Sequence, residues 1–94
     1  MASASRLNDV TAGHVGYPPT IIITASSNVL VNGRGAVRHG DMIKLHCKKS
    51  CHDGSVTISS RKVFVNGRKK ARVGDSISCG DTIKSGSSNV FVGG

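Results

Sequence analysis

The sequence predicts a small all-β domain, and three observations carry that expectation. Short alternating apolar stretches, Val29-Leu30-Val31 and Val63-Phe64-Val65, each run directly into Asn-Gly. Alternation at period two marks a half-buried strand, with Val63 and Val65 on one face and Phe64 on the other. Asn-Gly is the dipeptide that best accepts the positive φ angles of a type I′ hairpin turn. The chain also has twelve glycines, many serines, no Glu and no run of helix formers. Finally, the strand-turn-strand pattern recurs at a fixed spacing, the sign of a repeat architecture.

Taken in order, the chain begins with Met1-Ala2-Ser3-Ala4-Ser5-Arg6, which lacks the apolar segment of a signal peptide. These six residues are expected to be a flexible extension of a single domain spanning 1–94. The longest apolar run, around Ile21-Ile22-Ile23, is too short to cross a bilayer. Synthesis in the cytoplasm is therefore expected, with any export bypassing the general secretory route. Arg6 to Val10 reads as a short extended piece containing Asn8-Asp9. His14 follows in a Gly13-His14-Val15-Gly16 loop, and Pro18-Pro19 excludes helix. The β-branched Thr20 to Thr24 reads as a strand. Ser27 to Asp41 is the first complete unit, and Met42 to His46 alternates again. Cys47 to Gly54 is a compact polar loop, and Val56-Thr57-Ile58 leads into the second unit, Ser60 to Asp75. Ser76 to Gly80, Thr82-Ile83 and a last strand, Val90 to Val92, complete the chain.

Val29 to Val63, Asn32 to Asn66 and Asp41 to Asp75 are each separated by 34 positions. A third copy, Ser88 to Gly94, supplies only the first half of the unit. Leu7-Asn8-Asp9-Val10 resembles the missing half, Val73-Gly74-Asp75-Ser76, so the N-terminal piece is expected to supply the return strand for the C-terminal one. The chain would then close into a ring of three similar units, a pseudo-threefold β structure. Its only aromatic residues are Phe64, Phe91 and Tyr17, so the core must come from Val, Ile, Leu and Ala. A core that thin is the kind that recruits a metal or a crosslink.

The repeat register points to a metal site. His14 lies five positions after Asp9, His46 five after Asp41 and Cys79 four after Asp75. Three ligand-type side chains thus fall at nearly equivalent places, and ring closure would gather them near the axis. His52, in the loop of the second copy, can supply a fourth. Three imidazoles and one thiolate suit tetrahedral zinc at about 2.0–2.3 Å and favour it over iron. Four protein ligands leave no open position, so the role would be structural. His39 occupies the place of Val73 and reads as an ordinary return-strand residue. An odd cysteine count of three argues against a pure disulfide framework. Metal binding is the more natural use of cysteine in a reducing compartment. Cys47 and Cys51 remain open: ligands, a small disulfide across the loop, or free thiols.

These motifs resemble the PAAR-repeat proteins. The resemblance rests on Val29-Leu30-Val31-Asn32-Gly33, Val63-Phe64-Val65-Asn66-Gly67, Ala71-Arg72-Val73-Gly74-Asp75, Ser78-Cys79-Gly80 and Gly86 to Gly94, and covers the chain from about Leu7 onward. The segments matching the family's Pro-Ala-Ala-Arg tetrapeptide, Gly35-Ala36-Val37-Arg38 and Lys69-Lys70-Ala71-Arg72, lack the Pro but keep Arg38 and Arg72. The resemblance implies a small β cone with zinc near its point, held by His14, His46, His52 and Cys79. It implies a cap on the trimeric β-helical spike of a type VI secretion system or contractile phage tail, one monomer per trimer. Such a tip would sharpen the spike for membrane puncture and travel outward on contraction. Family members often carry toxin extensions; with no room for one here, a bare tip or an adaptor for separate cargo is expected.

Two other functional classes bear on the same residues. The formal charge of +8 and the clusters Lys48-Lys49, Arg61-Lys62 and Arg68-Lys69-Lys70 fit a basic zinc module that binds nucleic acid. The near absence of stacking aromatics argues against it. An enzyme is not expected, since the chain has no Glu and no Gly-x-Ser-x-Gly nucleophile motif.

Overall fold

The computed structural model describes residues 2–47, 50–57, 59–60 and 62–93. Lys48, Lys49 and Arg61 of the basic clusters, and Ile58 of the expected strand, lie outside the described residues. The described chain is all β, built from two-residue strands. They are β1 Ala2–Ser3, β2 Leu30–Val31, β3 Arg34–Gly35, β4 His46–Cys47, β5 Cys51–His52, β6 Phe64–Val65, β7 Arg68–Lys69 and β8 Phe91–Val92. Four antiparallel ribbons result: β2 with β3, β6 with β7, β4 with β5, and β1 with β8. Among the described residues no helix is long and apolar enough to cross a membrane.

The two Asn-Gly turns form as the sequence predicts. Asn32 and Gly33 take φ of 52° and 77°, and Asn66 and Gly67 take 53° and 75°. Positive φ at both central residues defines the I′ turn, whose twist matches the flanking strands.

The third ribbon corrects one expectation. Residues 2–6 are not a flexible extension. Ala2 stands opposite Val92 and Ser3 opposite Phe91, and Ala4 and Ser5 are fully buried. The N-terminus does supply the return strand, but through Ala2–Ser3 rather than through Leu7–Val10. The physical reason is size: Ala4 and Ser5 are small enough for the axis where the three units meet, and the low hydropathy of Ala2 to Ser5 hid the strand.

Ring closure is visible in the backbone itself. Val37 donates its N–H to Ser5 O (3.2 Å), Ala71 to Val37 O (3.0 Å) and Ser5 to Ala71 O (3.4 Å), so three hydrogen bonds form a closed cycle. The bridges Arg6 with Ala36, Arg38 with Lys70 and Arg72 with Ala4 repeat the same cycle one layer on. A third cycle pairs Ile22 with Ile43, Val56 with Ile77 and Thr11 with Ile83. The core is accordingly a stack of triads. Val31, Val65 and Val92 lie at the hairpins; Ala4, Ala36 and Lys70 follow, then Ser5, Val37 and Ala71, then the Ile-rich layers. Each unit turns a corner on the same clamp. Arg6, Arg38 and Arg72 donate their backbone N–H groups to Asp9, Asp41 and Asp75 at 2.6–2.7 Å, and their guanidinium groups pair with the same carboxylates at 2.9–3.0 Å. The body measures 37 × 23 × 23 Å, with the two equal short axes that a threefold stack requires.

Candidate metal centre

Beyond the Ile layers, three local structures each present a ligand-type side chain. The β4–β5 ribbon places His46 opposite His52 and Cys47 opposite Cys51. Side chains alternate across a strand, so the two imidazoles share one face and the two sulfurs the other. Cys47 and Cys51 are joined as a disulfide, which closes the question left open by the sequence. Cys79 is a free, half-buried thiol.

The 12–20 loop presents His14. It is tied down by Ala12 N–H donating to Thr82 O (2.9 Å) and by reciprocal bonds between the backbones of His14 and Tyr17 at 2.7 and 3.1 Å. Gly13, at φ 78°, permits the loop: a Cβ there would lie 2.9 Å from Tyr17 O. Cys79 sits in the turn closed by Gly80 N–H donating to Ile77 O (2.9 Å). A Cβ at Gly54 would lie 2.8 Å from Ile77 Cγ2 and 3.2 Å from Cys79 Sγ, so only glycine leaves room beside the thiol.

The four side chains converge, with one ligand atom of each lying within 4.8 Å of the others. His14 Nε2 is 3.2 Å from His46 Nε2 and 3.0 Å from His52 Nε2, the latter two are 2.6 Å apart, and Cys79 Sγ is 3.7 Å from His46 Nε2. Tetrahedral ligation at about 2.0–2.3 Å spaces ligand atoms about 3.3–3.8 Å apart. The sulfur contact meets that spacing, His14 to His46 nearly does, and the other two nitrogen contacts are tighter, that between His46 and His52 the most. The donor set, three imidazoles and a thiolate gathered around one point, fits a metal ion.

The surroundings orient the set for lone-pair donation. His46 Nδ1 is 2.9 Å from Pro18 O, so it carries the hydrogen and leaves Nε2 as the inward acceptor. The Asp81 carboxylate, 1% exposed, lies 4.0 Å from the same Nδ1, and its Oδ2 has no hydrogen-bond partner among the described residues. Loss of hydration pulls the His52 pKa below its ordinary value, and the neighbouring His46 and His14 imidazoles push it the same way. A neutral imidazole is the form that ligates metal.

The residues singled out from sequence, His14, His46, His52 and Cys79, are thus brought together, while His39 stays outside, bonded through its N–H to Lys69 O. Sequence reasoning missed Tyr17 and Asp81. The Tyr17 ring stacks on His52 at 4.0 Å and on His14 at 4.7 Å, covering two of the four candidate ligands. Its place three positions after His14, just before Pro18-Pro19, was the available signal.

Comparison with known proteins gives the same frame. The chain is 35% identical over 81 residues to the NAD(P)(+) glycohydrolase toxin Tse6 of Pseudomonas aeruginosa strain PAO1, a match covering 79% of this chain and 19% of the relative. It is also 35% identical over 81 residues to the (p)ppApp synthetase toxin Tas1 of Pseudomonas aeruginosa strain UCBPP-PA14, covering 79% of this chain and 18% of that protein. The chain therefore spans under a fifth of the length of these relatives. The PAAR motif family matches residues 12–85, the stretch that carries His14, His46, His52 and Cys79. With most of its length inside that match, this chain belongs to the PAAR-motif family.

Proposed function

We propose that this protein is a structural tip that caps the trimeric β-helical spike of a type VI secretion or related contractile machine. The observation that carries the reading is the closed ring of three units within one polypeptide. A single chain can seat on a trimer only by offering three equivalent surfaces. Here the three hairpins offer matching exposed apolar pairs, Val29-Leu30, Val63-Phe64 and Val90-Phe91, with Leu30, Phe64 and Phe91 between 50% and 59% exposed. Three unsatisfied apolar pairs around one axis suit a threefold partner.

His14, His46, His52 and Cys79 would hold one zinc ion, favoured over iron by the single soft ligand and three imidazoles. A bound zinc supplies crosslinking, since four protein ligands leave no position for substrate. The chain's residues do the rest: the His46–His52 ribbon, the His14 loop and the Cys79 turn converge from three units, so joining them pins the end of the ring. The role is mechanical rather than catalytic. Residues 1–94 act as one domain, made in the cytoplasm and carried outward on contraction, and able to serve as a cargo adaptor besides.

Metal analysis of protein purified without added metal tests the site. About one zinc per chain is expected, with loss of the metal and of several degrees in Tm in Cys79→Ala or His14→Ala, because metal binding is coupled to folding. An equally stable, equally metallated Cys79→Ala variant would sink the ligand set. Mass analysis of the complex with a trimeric spike protein should give one tip per trimer; three per trimer would overturn the capping geometry.

A further inference from the structure

The three hairpins are alike in backbone but not in charge. Strand register makes Gly35, Lys69 and Ser3 equivalent, and likewise Arg34, Arg68 and Ala2. Matching hydrogen bonds, Leu7 N–H to Gly35 O, His39 N–H to Lys69 O and Val73 N–H to Ser3 O, make Leu7, His39 and Val73 equivalent. One side of the body therefore carries His39, Arg68 and Lys69 together. The corresponding positions of the next side carry one cation, Arg34, and those of the third carry none.

The same side is concave. A groove of about 250 Å³ is lined by His39, Phe64, Gly67, Arg68 and Lys69. Phe64 and Lys69 are cross-strand partners, so their side chains share the outer face of the β6–β7 hairpin. Arg68 shares the Asp41 carboxylate with Arg38, at 3.4 and 3.0 Å, so two guanidinium groups meet one carboxylate and positive charge is left over.

We propose that this groove binds an acidic, extended segment of a partner protein, one copy per chain. The chemistry is that of carboxylate recognition. Arg68, held through Nε by His39 O and through one Nη by Asp41, offers its remaining guanidinium N–H groups, Lys69 offers an ammonium group, His39 offers a ring nitrogen and Phe64 offers an apolar wall. The volume admits one or two acidic side chains and is below that of sites for larger ligands. A threefold partner would present its complement three times and find a match once. A surface present on one side only is suited to a partner without that symmetry. The inference stands apart from the spike reading, with which it shares only Phe64.

The test uses the whole 15N-labelled protein and three probes. They are the peptide Glu-Asp-Glu-Leu-Asp-Glu, its Gln/Asn isostere and a thymidine hexanucleotide. The acidic peptide should shift amide signals only around 39–40 and 62–69. The variant H39V/K69S places on this side the residues found at Val73 and Ser3. It should keep the native spectrum and weaken the acidic peptide at least tenfold. The control K44S removes as many lysines elsewhere and should change affinity less than twofold. Absence of localised shifts, equal weakening in the control, or equal binding of the isostere would overturn the proposal. Tighter binding of the oligonucleotide at the same amides, lost in the same variant, would assign the groove to nucleic acid instead.

Discussion

Lys70 is buried to 3% exposure on the axis where its counterparts are Ala4 and Ala36. Its ammonium donates to one carbonyl from each unit: Ser5 O at 2.8 Å, Val37 O at 3.0 Å and Ala71 O at 2.7 Å. A group with three hydrogens thus sits on an axis with three acceptors, and these are the same carbonyls that accept the N–H groups of the ring. Burial pulls the Lys70 pKa down to about 8, against the upward pull of Asp75, Asp9 and Asp41. Between pH 8 and its ordinary 10.5 the unfolded chain holds a proton that the folded one gives up, so stability rises with pH across that window. The gain relative to Lys70→Met should reach at most about 3 kcal/mol. Denaturant titrations of both proteins from pH 7 to 10.5 check it, and parallel curves would show that Lys70 keeps its proton. Met at this position should fold, since the ring N–H bonds still satisfy the three carbonyls. From sequence, Lys70 was counted with Arg68 and Lys69 as part of a solvated basic cluster. Alternation and the match to Ala36 were the signals against that, but a long cation on an axis is legible only once three carbonyls are known to meet there. His14, His46 and Cys79 were legible because the repeat register fixed them, and His52 because it sits in the loop that follows His46. Tyr17 was not, because stacking depends on how the loop after Gly13 closes.

At the scale of the hairpin, Gly67 combines a φ of 75° with open space, since a Cβ there would meet nothing within 4 Å. Gly67→Ala should therefore lose about 1 kcal/mol through backbone strain alone, or about 4–8 °C in Tm for a domain of this size. Calorimetry would show it, and Gly33→Ala should match, as φ there is 77° with equally open space. The β4–β5 ribbon yields a different expectation. Its disulfide lies on the face opposite His46 and His52 and holds their strands in register. Cys47→Ser/Cys51→Ser should release metal to a chelator several-fold faster while retaining it in the absence of competitor. Unchanged release would mean the strands stay paired without the crosslink. The Asn-Gly hairpins were fully readable in the sequence because the dipeptide and the turn geometry specify each other. The Cys47–Cys51 bond was not, because sequence spacing does not decide between bridging and ligation.

Across the whole molecule, the cycle of Ser5, Val37 and Ala71 makes each unit depend on the other two. Deleting residues 2–5 would remove β1, two groups of the cycle and an acceptor of Lys70. The shortened chain should lose cooperative unfolding and dispersed amide signals; a native-like spectrum would show that two and a half units suffice. The threefold plan was legible in the spacing of Val29, Val63 and Val90. Its seam was misplaced by several residues because Ala2 and Ala4 carry too little apolar area to register as a strand. That seam has a consequence for how the chain can be rewired. Ala2 faces Val92 just as Arg34 faces Val31 and Arg68 faces Val65, but the other two pairs are joined by Asn-Gly. Writing Asn-Gly between Val92 and Ala2, and cutting at Asn66-Gly67 instead, should yield a circular permutant with the same triads. Linking at the seam without any cut should yield a covalently cyclic protein whose three hairpins are, in backbone, interchangeable.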